Sequence, residues 1–126
     1  MPVASILLVD DDRENQTLLR LILERGGHAL RIADGGEQAL AEVAGQRPDL
    51  VLLDAMLPDI DGYEVCRRMR ANPRLAALPI LFFSARNDEQ SRARAYEAGA
   101  TEFISKSLSP KELLSRVSEA ASRSSV

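Results

Sequence analysis

Short apolar runs alternate along the chain with segments in which apolar residues recur every three or four positions. Three of the runs, residues 6–9, 50–53 and 80–83, contain no polar residue. Continuous apolar runs of this length are typical of strands that are buried on both faces of a parallel sheet. Two weaker segments, 28–33 and 102–105, complete a set of five predicted strands.

The segments between these strands have the spacing of amphipathic helices, which collect apolar residues on one face. Gly26-Gly27 and Gly99 stand where two of the helices should end, because glycine readily adopts the backbone conformation that closes a helix. The predicted apolar faces comprise Leu18, Leu21 and Ile22 in the first helix, Leu40 and Val43 in the second, and Leu113, Leu114 and Val117 in the last.

Small polar residues stand where helices should begin. Asp34 and Asp61 each precede a glutamate by three positions, as in a capping box. Ser109 does the same and is followed by proline, which suits the first position of a helix. Asp12 and Asn87 are the predicted N-caps of the first and fourth helices.

Strands that alternate with helices predict a parallel sheet with helices on both faces. For five such units the common strand order is 2-1-3-4-5. The sequence therefore predicts an α/β fold, a flavodoxin-like (βα)5 three-layer sandwich around a parallel five-stranded sheet in the order 2-1-3-4-5. We assign residues 1–122 to this domain and residues 123–126 to a polar C-terminal tail. A ligand site is expected where the first and third strands end.

The composition narrows the class of protein. With 126 residues, of which 45% are apolar, the chain has the make-up of one soluble globular domain. A net charge of −3 without a basic run argues against direct nucleic-acid binding. No apolar run approaches the ~18 residues of a membrane span, and the segment MPVAS lacks the charged start of a signal peptide. The single Cys66 cannot form an internal disulfide, which favours a cytoplasmic location.

Residues that could carry chemistry follow the predicted strands. Asp10 and Asp11 follow the first strand, Asp54 the third, Ser84 the fourth and Lys106 the fifth. Taken singly, Ser84 could cap a helix and Lys106 could be a solvated loop lysine. Asp54 is harder to explain, because a carboxylate directly after four apolar residues is costly unless its charge is stabilised.

A divalent cation would stabilise these charges. Clustered carboxylates suit Mg²⁺, which takes one or two of them and shares phosphate oxygens with a substrate. Asp54 could then attack a phosphorus atom and form an aspartyl phosphate. The Lys106 ammonium and the Ser84 hydroxyl would neutralise other phosphoryl oxygens. The strand ends together predict phosphoryl transfer to a carboxylate, with Mg²⁺ as the cofactor.

With these motifs the chain resembles a receiver domain of two-component response regulators, the group that includes the single-domain chemotaxis regulator. The resemblance covers about residues 4–121 and rests on the segments ILLVDDD, LLDAMLPDIDGYEV, FFSA, EAGATEFISK and SPKELLSRV. It implies a phosphorylation-dependent signalling switch rather than an enzyme. The implied site comprises the acidic metal pair Asp10 and Asp11, the phosphoacceptor Asp54, which is also a metal ligand, a metal-binding backbone carbonyl of Met56, the switch hydroxyl of Ser84, the switch aromatic Phe103 and the phosphate-contacting Lys106.

The resemblance also implies partners. A sensor histidine kinase or a phosphotransfer protein would supply the phosphoryl group. A downstream protein or a fused effector domain would read the change on the face formed by helix four, strand five and helix five, which is also the candidate surface for a homodimer. Basic residues either give that face a positive charge or belong to an ordinary solvated face; they are Arg92, Arg94, Lys111 and Arg116.

Several positions depart from the family pattern or tune it. Ser107 follows Lys106 where the family usually has a cis proline, and a non-proline cis bond costs about 3 kcal/mol. Phe103 lacks the hydroxyl of the tyrosine that is common there, and core packing is its structural alternative. Met56 and Arg86 occupy positions where the family tunes phosphate lifetime, and we hypothesise that they shield the acyl phosphate.

Two other classes of function compete with the switch. A pseudo-receiver would be a constitutive interaction module that no longer accepts phosphate, although the complete set of site residues favours a working switch. A flavodoxin would need a phosphate-cradling loop where DDDREN stands, and a dehalogenase-type phosphatase would need a second aspartate where Met56 stands. His28 and Cys66 are interpreted as structural residues, since His28 has no partner motif and Cys66 falls in mid-helix.

Overall fold

Strands and helices alternate five times in the computed structural model, which describes residues 4–86 and 88–124. The strands are β1 (Ser5–Val9), β2 (Ala29–Ala33), β3 (Leu50–Leu53), β4 (Ile80–Ser84) and β5 (Glu102–Ser105). The helices are α1 (Arg13–Arg25), α2 (Gly36–Gly45), α3 (Gly62–Arg70), α4 (Glu89–Ala98) and α5 (Pro110–Ser124), with a short 3-10 helix at Pro73–Leu75. Helix α5 includes residues 123 and 124 of the segment assigned to the tail, and residues 125 and 126 lie outside the described range.

The sheet has the predicted topology. All neighbouring strands pair in parallel, in the order β2-β1-β3-β4-β5. Val9, the last residue of β1, lies opposite Leu53, the last residue of β3. The Asp54 amide donates to the Val9 carbonyl at 2.9 Å, so the chain leaves both strands side by side. This register confirms the flavodoxin-like fold and brings the ends of β1 and β3 together.

The core has two layers, one on each face of the sheet, because successive strand side chains point to opposite faces. One layer joins the sheet to α2, α3 and α4, and the other joins it to α1 and α5. The first layer includes Leu7, Val51, Leu53, Ile80 and Phe82, and the second includes Ile6, Leu8, Leu50, Leu52 and Leu81. Burial on both faces explains why these strands appear in the sequence as unbroken apolar runs.

The buried side of α1 differs from the predicted apolar face. Leu19 and Leu23 are buried, whereas Leu18 and Leu21 are 54% and 52% exposed. Only Ile22 of the predicted stripe packs partly against the core. Leu19 and Leu23 are four residues apart and share a helix face, which is the one the sheet covers. The prediction was wrong because both faces carry leucines, so that spacing alone could not choose between them.

Three of the predicted helix caps are confirmed. The side chains of Asp12, Asp61 and Ser109 each accept a hydrogen bond from an amide in the first turn of α1, α3 and α5, at 2.9–3.2 Å. Helix α4 is capped by Asp88, and Asn87 lies outside the described residues. No helix within the described ranges is long and apolar enough to cross a membrane.

The predicted cap of α2 is wrong. Asp34 Oδ1 accepts a hydrogen bond from Gln16 Nε2 at 2.7 Å, and the N-cap residue of α2 is Gly35, which has no side chain to offer. The first amides of α2 instead donate to Asp59, a residue of the β3–α3 loop. The capping-box spacing was present in the sequence, but another side chain occupies the helix terminus.

His28 and Cys66 are both buried, in keeping with their structural interpretation. His28 Nδ1 accepts a hydrogen bond from the Ala4 amide at 3.1 Å, and burial lowers the pKa of His28. Burial raises the pKa of the Cys66 thiol to about 11. A thiol with such a pKa is a poor nucleophile at neutral pH.

Candidate functional site

Four strand ends bring the predicted site residues to one edge of the sheet. Asp10 directly follows β1, Asp54 follows β3, Ser84 ends β4 and Lys106 follows β5. The carboxyl ends of parallel strands lie at a common edge, and the strand order changes direction between β1 and β3. The site therefore occupies the position that the predicted topology indicated.

The three aspartates form one cluster. One carboxylate oxygen from each of Asp10, Asp11 and Asp54 lies within 4.8 Å of the other two. Asp10 and Asp54 are buried, and Asp11 is exposed. Asp10 Oδ1 accepts a hydrogen bond from the Asp12 amide at 2.9 Å, whereas buried Asp10 Oδ2 has no hydrogen-bond partner among the described residues. The cluster is thus open to solvent through Asp11 and holds a buried oxygen that accepts no hydrogen bond from the described residues.

Lys106 supplies a positive charge to this cluster. Its Nζ donates to Asp54 Oδ2 at 3.2 Å and lies 3.5 Å from Asp10 Oδ2, a distance at which the pair is ionic without being hydrogen-bonded. The described residues contain no cis peptide bond, so Lys106 reaches the carboxylates from a trans link to Ser107. One ammonium among three carboxylates leaves the cluster with an excess of negative charge.

The environment of Asp54 disfavours its charged form. Burial raises the pKa of Asp54, and the nearby Asp10 charge raises it further. A hydrogen bond from the Met56 amide to Asp54 Oδ1, at 3.1 Å, and the Lys106 ammonium oppose this rise in pKa without cancelling it. An additional cation would therefore stabilise the carboxylate form of Asp54.

The cluster fits a hard divalent cation. All of its side-chain ligands are carboxylate oxygens, Asp10 Oδ2 lacks a donor among the described residues, and the net charge is negative. These are the features that Mg²⁺ requires of a site that leaves room for water and phosphate oxygens. The Met56 side chain is 68% exposed beside this cluster, and the metal-binding role of its carbonyl stays a prediction.

Ser84 and Phe103, the predicted switch residues, are both buried, with exposures of 2% and 4%. Ser84 Oγ accepts a hydrogen bond from the Arg86 amide at 3.1 Å, so it organises the β4–α4 loop and does not cap α4. Phe103 packs in the core layer of α2, α3 and α4, with the Arg92 guanidinium carbon 5.5 Å from its ring centroid. Its core packing is therefore a fact, and its switch role stays a prediction.

The basic residues predicted for the α4–β5–α5 face are divided between two places. Arg92 lies over Phe103 of β5, and Arg116 pairs with Glu102 at 3.1 Å. Arg94 lies 4.1 Å from the ring centroid of Tyr63 and is thus directed toward α3. Since Arg116 has an acidic partner and Arg94 is directed toward α3, these contacts favour the ordinary solvated face over a strongly basic one.

Two residues near the site were missed by sequence reasoning. Gln16 Nε2 donates to the Asp10 carbonyl at 2.6 Å and to Asp34 Oδ1 at 2.7 Å. The Asp59 carboxylate accepts hydrogen bonds from the amides of Gly36 and Glu37. The Gln16–Asp34 contact spans 18 residues and the Asp59 contacts span 22 and 23, so no local motif signals them.

Comparison with known proteins agrees with this fold. Residues 6–118 match the family model of the response regulator receiver domain. The chain belongs to this family. It is 42% identical over 113 residues to the transcriptional regulatory protein GltR of Pseudomonas aeruginosa, an alignment that covers 90% of this chain and 47% of GltR. The chain thus spans about half the length of the curated relatives that it matches.

Solved structures show the same likeness. The receiver domain of Klebsiella pneumoniae RstA, in a BeF3-activated form, superposes with a TM-score of 0.87 and 32% identity over 93% of this chain and 97% of that one. The Mn²⁺-bound response regulator Rcp1 superposes with a TM-score of 0.78 and 30% identity over 92% of this chain and 90% of that one. The fold of this chain is therefore a receiver fold.

Proposed function

We propose that this receiver domain is a magnesium-dependent signalling switch in which Asp54 accepts a phosphoryl group from a sensor histidine kinase or a phosphotransfer protein. The observation that carries the proposal is the convergence of three carboxylates and one ammonium at the junction of β1 and β3. A known Mn²⁺-bound relative and a BeF3-activated one support a cation and a phosphoryl group at this kind of site.

The transfer step is a simple displacement at phosphorus. An Asp54 carboxylate oxygen forms a bond to phosphorus, the bond from phosphorus to the donor imidazole nitrogen breaks, and its electron pair stays on that nitrogen. Lys106 already contacts Asp54 Oδ2 and is placed to neutralise a phosphoryl oxygen. Asp10, Asp11, Asp54 and the Met56 carbonyl would hold Mg²⁺, which would supply charge neutralisation to the phosphoryl group.

The product is a modified side chain rather than a released compound. Water cleaves the acyl phosphate, which returns the Asp54 carboxylate and inorganic phosphate. We expect no turnover of an external substrate, so the domain acts as a phosphoacceptor and not as an enzyme. The rate of this hydrolysis sets how long the signal lasts, and exposed Met56 stands where it could shield the acyl phosphate from water.

Phosphorylation would be read through β4 and β5. The phosphoryl group adds charge that the Ser84 hydroxyl can stabilise by donating a hydrogen bond, which would draw the β4–α4 loop toward Asp54. In the sheet, Phe82 of β4 lies opposite Phe103 of β5, and Ser84 lies opposite Ser105. A movement of β4 would therefore shift the neighbours of Phe103. The α4–β5–α5 face would then change its affinity for a downstream protein, for a fused effector domain or for a second copy of the chain.

The wider context supports the same proposal. GltR continues well beyond the matched region, which favours a receiver that works with an effector domain. The single Cys66 favours the cytoplasm, where a phosphodonor kinase would meet the domain. The competing function is a pseudo-receiver that binds its partner constitutively. The complete cluster, with one carboxylate oxygen that lacks a donor among the described residues, favours a working switch.

Beryllofluoride titration with Mg²⁺ tests the proposal, with amide chemical shifts near Phe103 as the readout. We expect shifts that require both Mg²⁺ and the phosphoryl mimic, and that are absent in Asp54→Asn. A small-molecule acyl phosphate should add one phosphoryl group to the wild type, and none to the variant, by intact-mass measurement. A silent spectrum together with an unmodified mass would establish the pseudo-receiver instead.

A further inference from the structure

Helix α2 begins without a cap of its own. Its N-cap residue, Gly35, has no side chain, and the preceding Asp34 is engaged by Gln16. The amides of Gly36 and Glu37 donate to Asp59 Oδ1 and Oδ2, each at 2.9 Å. Both oxygens of one carboxylate from a distant loop thus satisfy the first two donors of the helix, which also places a negative charge at its positive end.

This contact depends on a close approach between α2 and the β3–α3 loop. A Cβ atom on Gly35 would lie 2.8 Å from Asp59 Oδ1. A Cβ atom on Gly36 would lie 2.6 Å from Val65 Cγ2 and 3.2 Å from Ile60 Cγ1. The paired glycines therefore let the start of α2 sit directly on the loop and on α3. Hydrogen bonds from the amides of Glu37 and Gly36 lower the pKa of Asp59 to about 2, so the carboxylate is ionised at neutral pH.

The β3–α3 loop is the loop that carries Asp54 and Met56. Within the loop, the Met56 amide donates to Asp54, and the Gly62 amide donates to the Ala55 carbonyl at 2.9 Å. Both of these contacts are local. Asp59 ties the middle of the loop to a separate helix, which limits how far the loop can move as a unit.

The same turn before α2 also holds the β1–α1 loop. Gln16 Nε2 bridges the Asp10 carbonyl and Asp34 Oδ1, and the Asp34 amide donates to Gln38 Oε1 at 2.9 Å. The turn at residues 34–36 contributes no ligand to the cluster, but it is bonded directly to the β3–α3 loop and, through Gln16 of α1, to the β1–α1 loop. Its contacts therefore add a second link between the Asp10 side and the Asp54 side of the site, beside the hydrogen bond from the Asp54 amide to the Val9 carbonyl.

We propose that Asp59 is a positioning residue for the magnesium site, because it fixes the β3–α3 loop against α2 and thereby limits how far the Met56 side of that loop can move relative to Asp10 and Asp11. The inference rests on the proposed function only for the identity of the cation. The metal ligands themselves stay Asp10, Asp11 and Asp54 with the Met56 carbonyl, and Asp59 acts through the loop.

The first test measures Mg²⁺ affinity by calorimetry in Asp59→Ala. We expect the dissociation constant to rise by about 10-fold, the lower end of the range that is typical when a residue that orients metal ligands is removed. Asp59→Asn keeps one acceptor oxygen and should fall between the wild type and Asp59→Ala. Asp88→Ala is the matched control. Asp88 caps α4, which has 10 residues as α2 does, by accepting a hydrogen bond from the Ser91 amide. We expect it to lower thermal stability comparably and to leave the Mg²⁺ dissociation constant within about twofold of the wild type.

The second test is independent of the metal. Amide hydrogen exchange in Mg²⁺-free buffer should accelerate in Asp59→Ala at Met56 and Gly62, as well as at Gly36 and Glu37. Faster exchange confined to the α2 amides, or a Mg²⁺ affinity equal to that of the wild type, would overturn the proposal and leave Asp59 as a helix cap alone. If the wild type binds no Mg²⁺, the proposed function fails, while the exchange at Met56 and Gly62 still decides whether Asp59 anchors the loop.

Discussion

A partly buried cationic side chain lies at each end of the β-sheet, and the two differ in the charge of their partners. At the amino end, the Arg70 guanidinium donates to the carbonyl oxygens of Leu78 and Gly99 at 2.6 and 2.8 Å, and also to the Leu75 carbonyl and the Thr101 hydroxyl. These partners are neutral and come from the segments that follow α3 and precede β4 and β5. At the carboxyl end, Lys106 faces a surplus of carboxylates.

The difference separates a structural charge from a functional one. Arg70 distributes its planar set of donors over fixed carbonyl groups, which ties the end of α3 to the end of α4. The cluster at the other end is held by the fold in a state with excess charge and one oxygen that lacks a donor among the described residues. We infer that the contacts at the amino end stabilise the fold. At the carboxyl end, the clustered carboxylates lower the stability of the fold and provide a site for a ligand.

The largest effect is expected at the amino end. Arg70→Ala should lower the free energy of unfolding by about 3 kcal/mol, because several partly buried carbonyl groups lose a charged donor together. Urea denaturation measures this change. Arg68→Ala is the control, since Arg68 pairs with Glu64 and Glu37 on an exposed surface and should cost less than about 1 kcal/mol. Equal losses in the two variants would contradict the contrast between the two ends.

At the carboxyl end the sign should reverse. In Mg²⁺-free buffer, Asp54→Asn should raise the free energy of unfolding, because burial raises the pKa of Asp54 and so disfavours its charged form. Mg²⁺ at a hundred times its dissociation constant should stabilise the wild type by about 2.7 kcal/mol. The variant should gain less, having lost one ligand. Thermal unfolding with and without Mg²⁺ measures both effects, and a variant less stable than the metal-free wild type would show that Asp54 is structural.

The exposed edge of the site should control the lifetime of the signal. Met56→Asn replaces an exposed thioether with an amide that can orient water, so the acyl phosphate should hydrolyse about fivefold faster, a change of roughly 1 kcal/mol in the barrier. The half-life of the phosphorylated protein measures this, with Leu18→Asn as a control on the exposed surface of α1. A half-life unchanged by Met56→Asn would remove the shielding hypothesis.

The smallest effect is expected from His28, which precedes β2 at the amino end of the sheet. Burial lowers the pKa of His28 in the folded protein below its ordinary value of 6.5, so the unfolded chain takes up its proton first as pH falls. Stability should therefore decrease as pH drops below about 6.5 and level off below the folded pKa. Urea denaturation from pH 7.5 to pH 5 should show a steeper decline in the wild type than in His28→Gln, and equal slopes would contradict this assignment.

The sequence by itself determined the strands, their order and the main site. Unbroken apolar runs predict strands buried on both faces, and parallel topology then places whatever follows them at one edge. Asp10, Asp54 and Lys106 could be found in this way because each follows its strand directly in the chain. A short-range pattern was sufficient, since the sheet supplies the long-range geometry in a standard form.

Where several residues had the same local sequence pattern, only the tertiary structure decided which of them makes the contact. Leucines stand on both sides of α1, and only the packing of the sheet selected Leu19 and Leu23 over Leu18 and Leu21. The capping signal at Asp34 was present, but Asp59 reaches the helix from 22 to 23 residues away. Contacts of this kind depend on where separate elements meet after folding, which is a property of the packed molecule and not of any short segment.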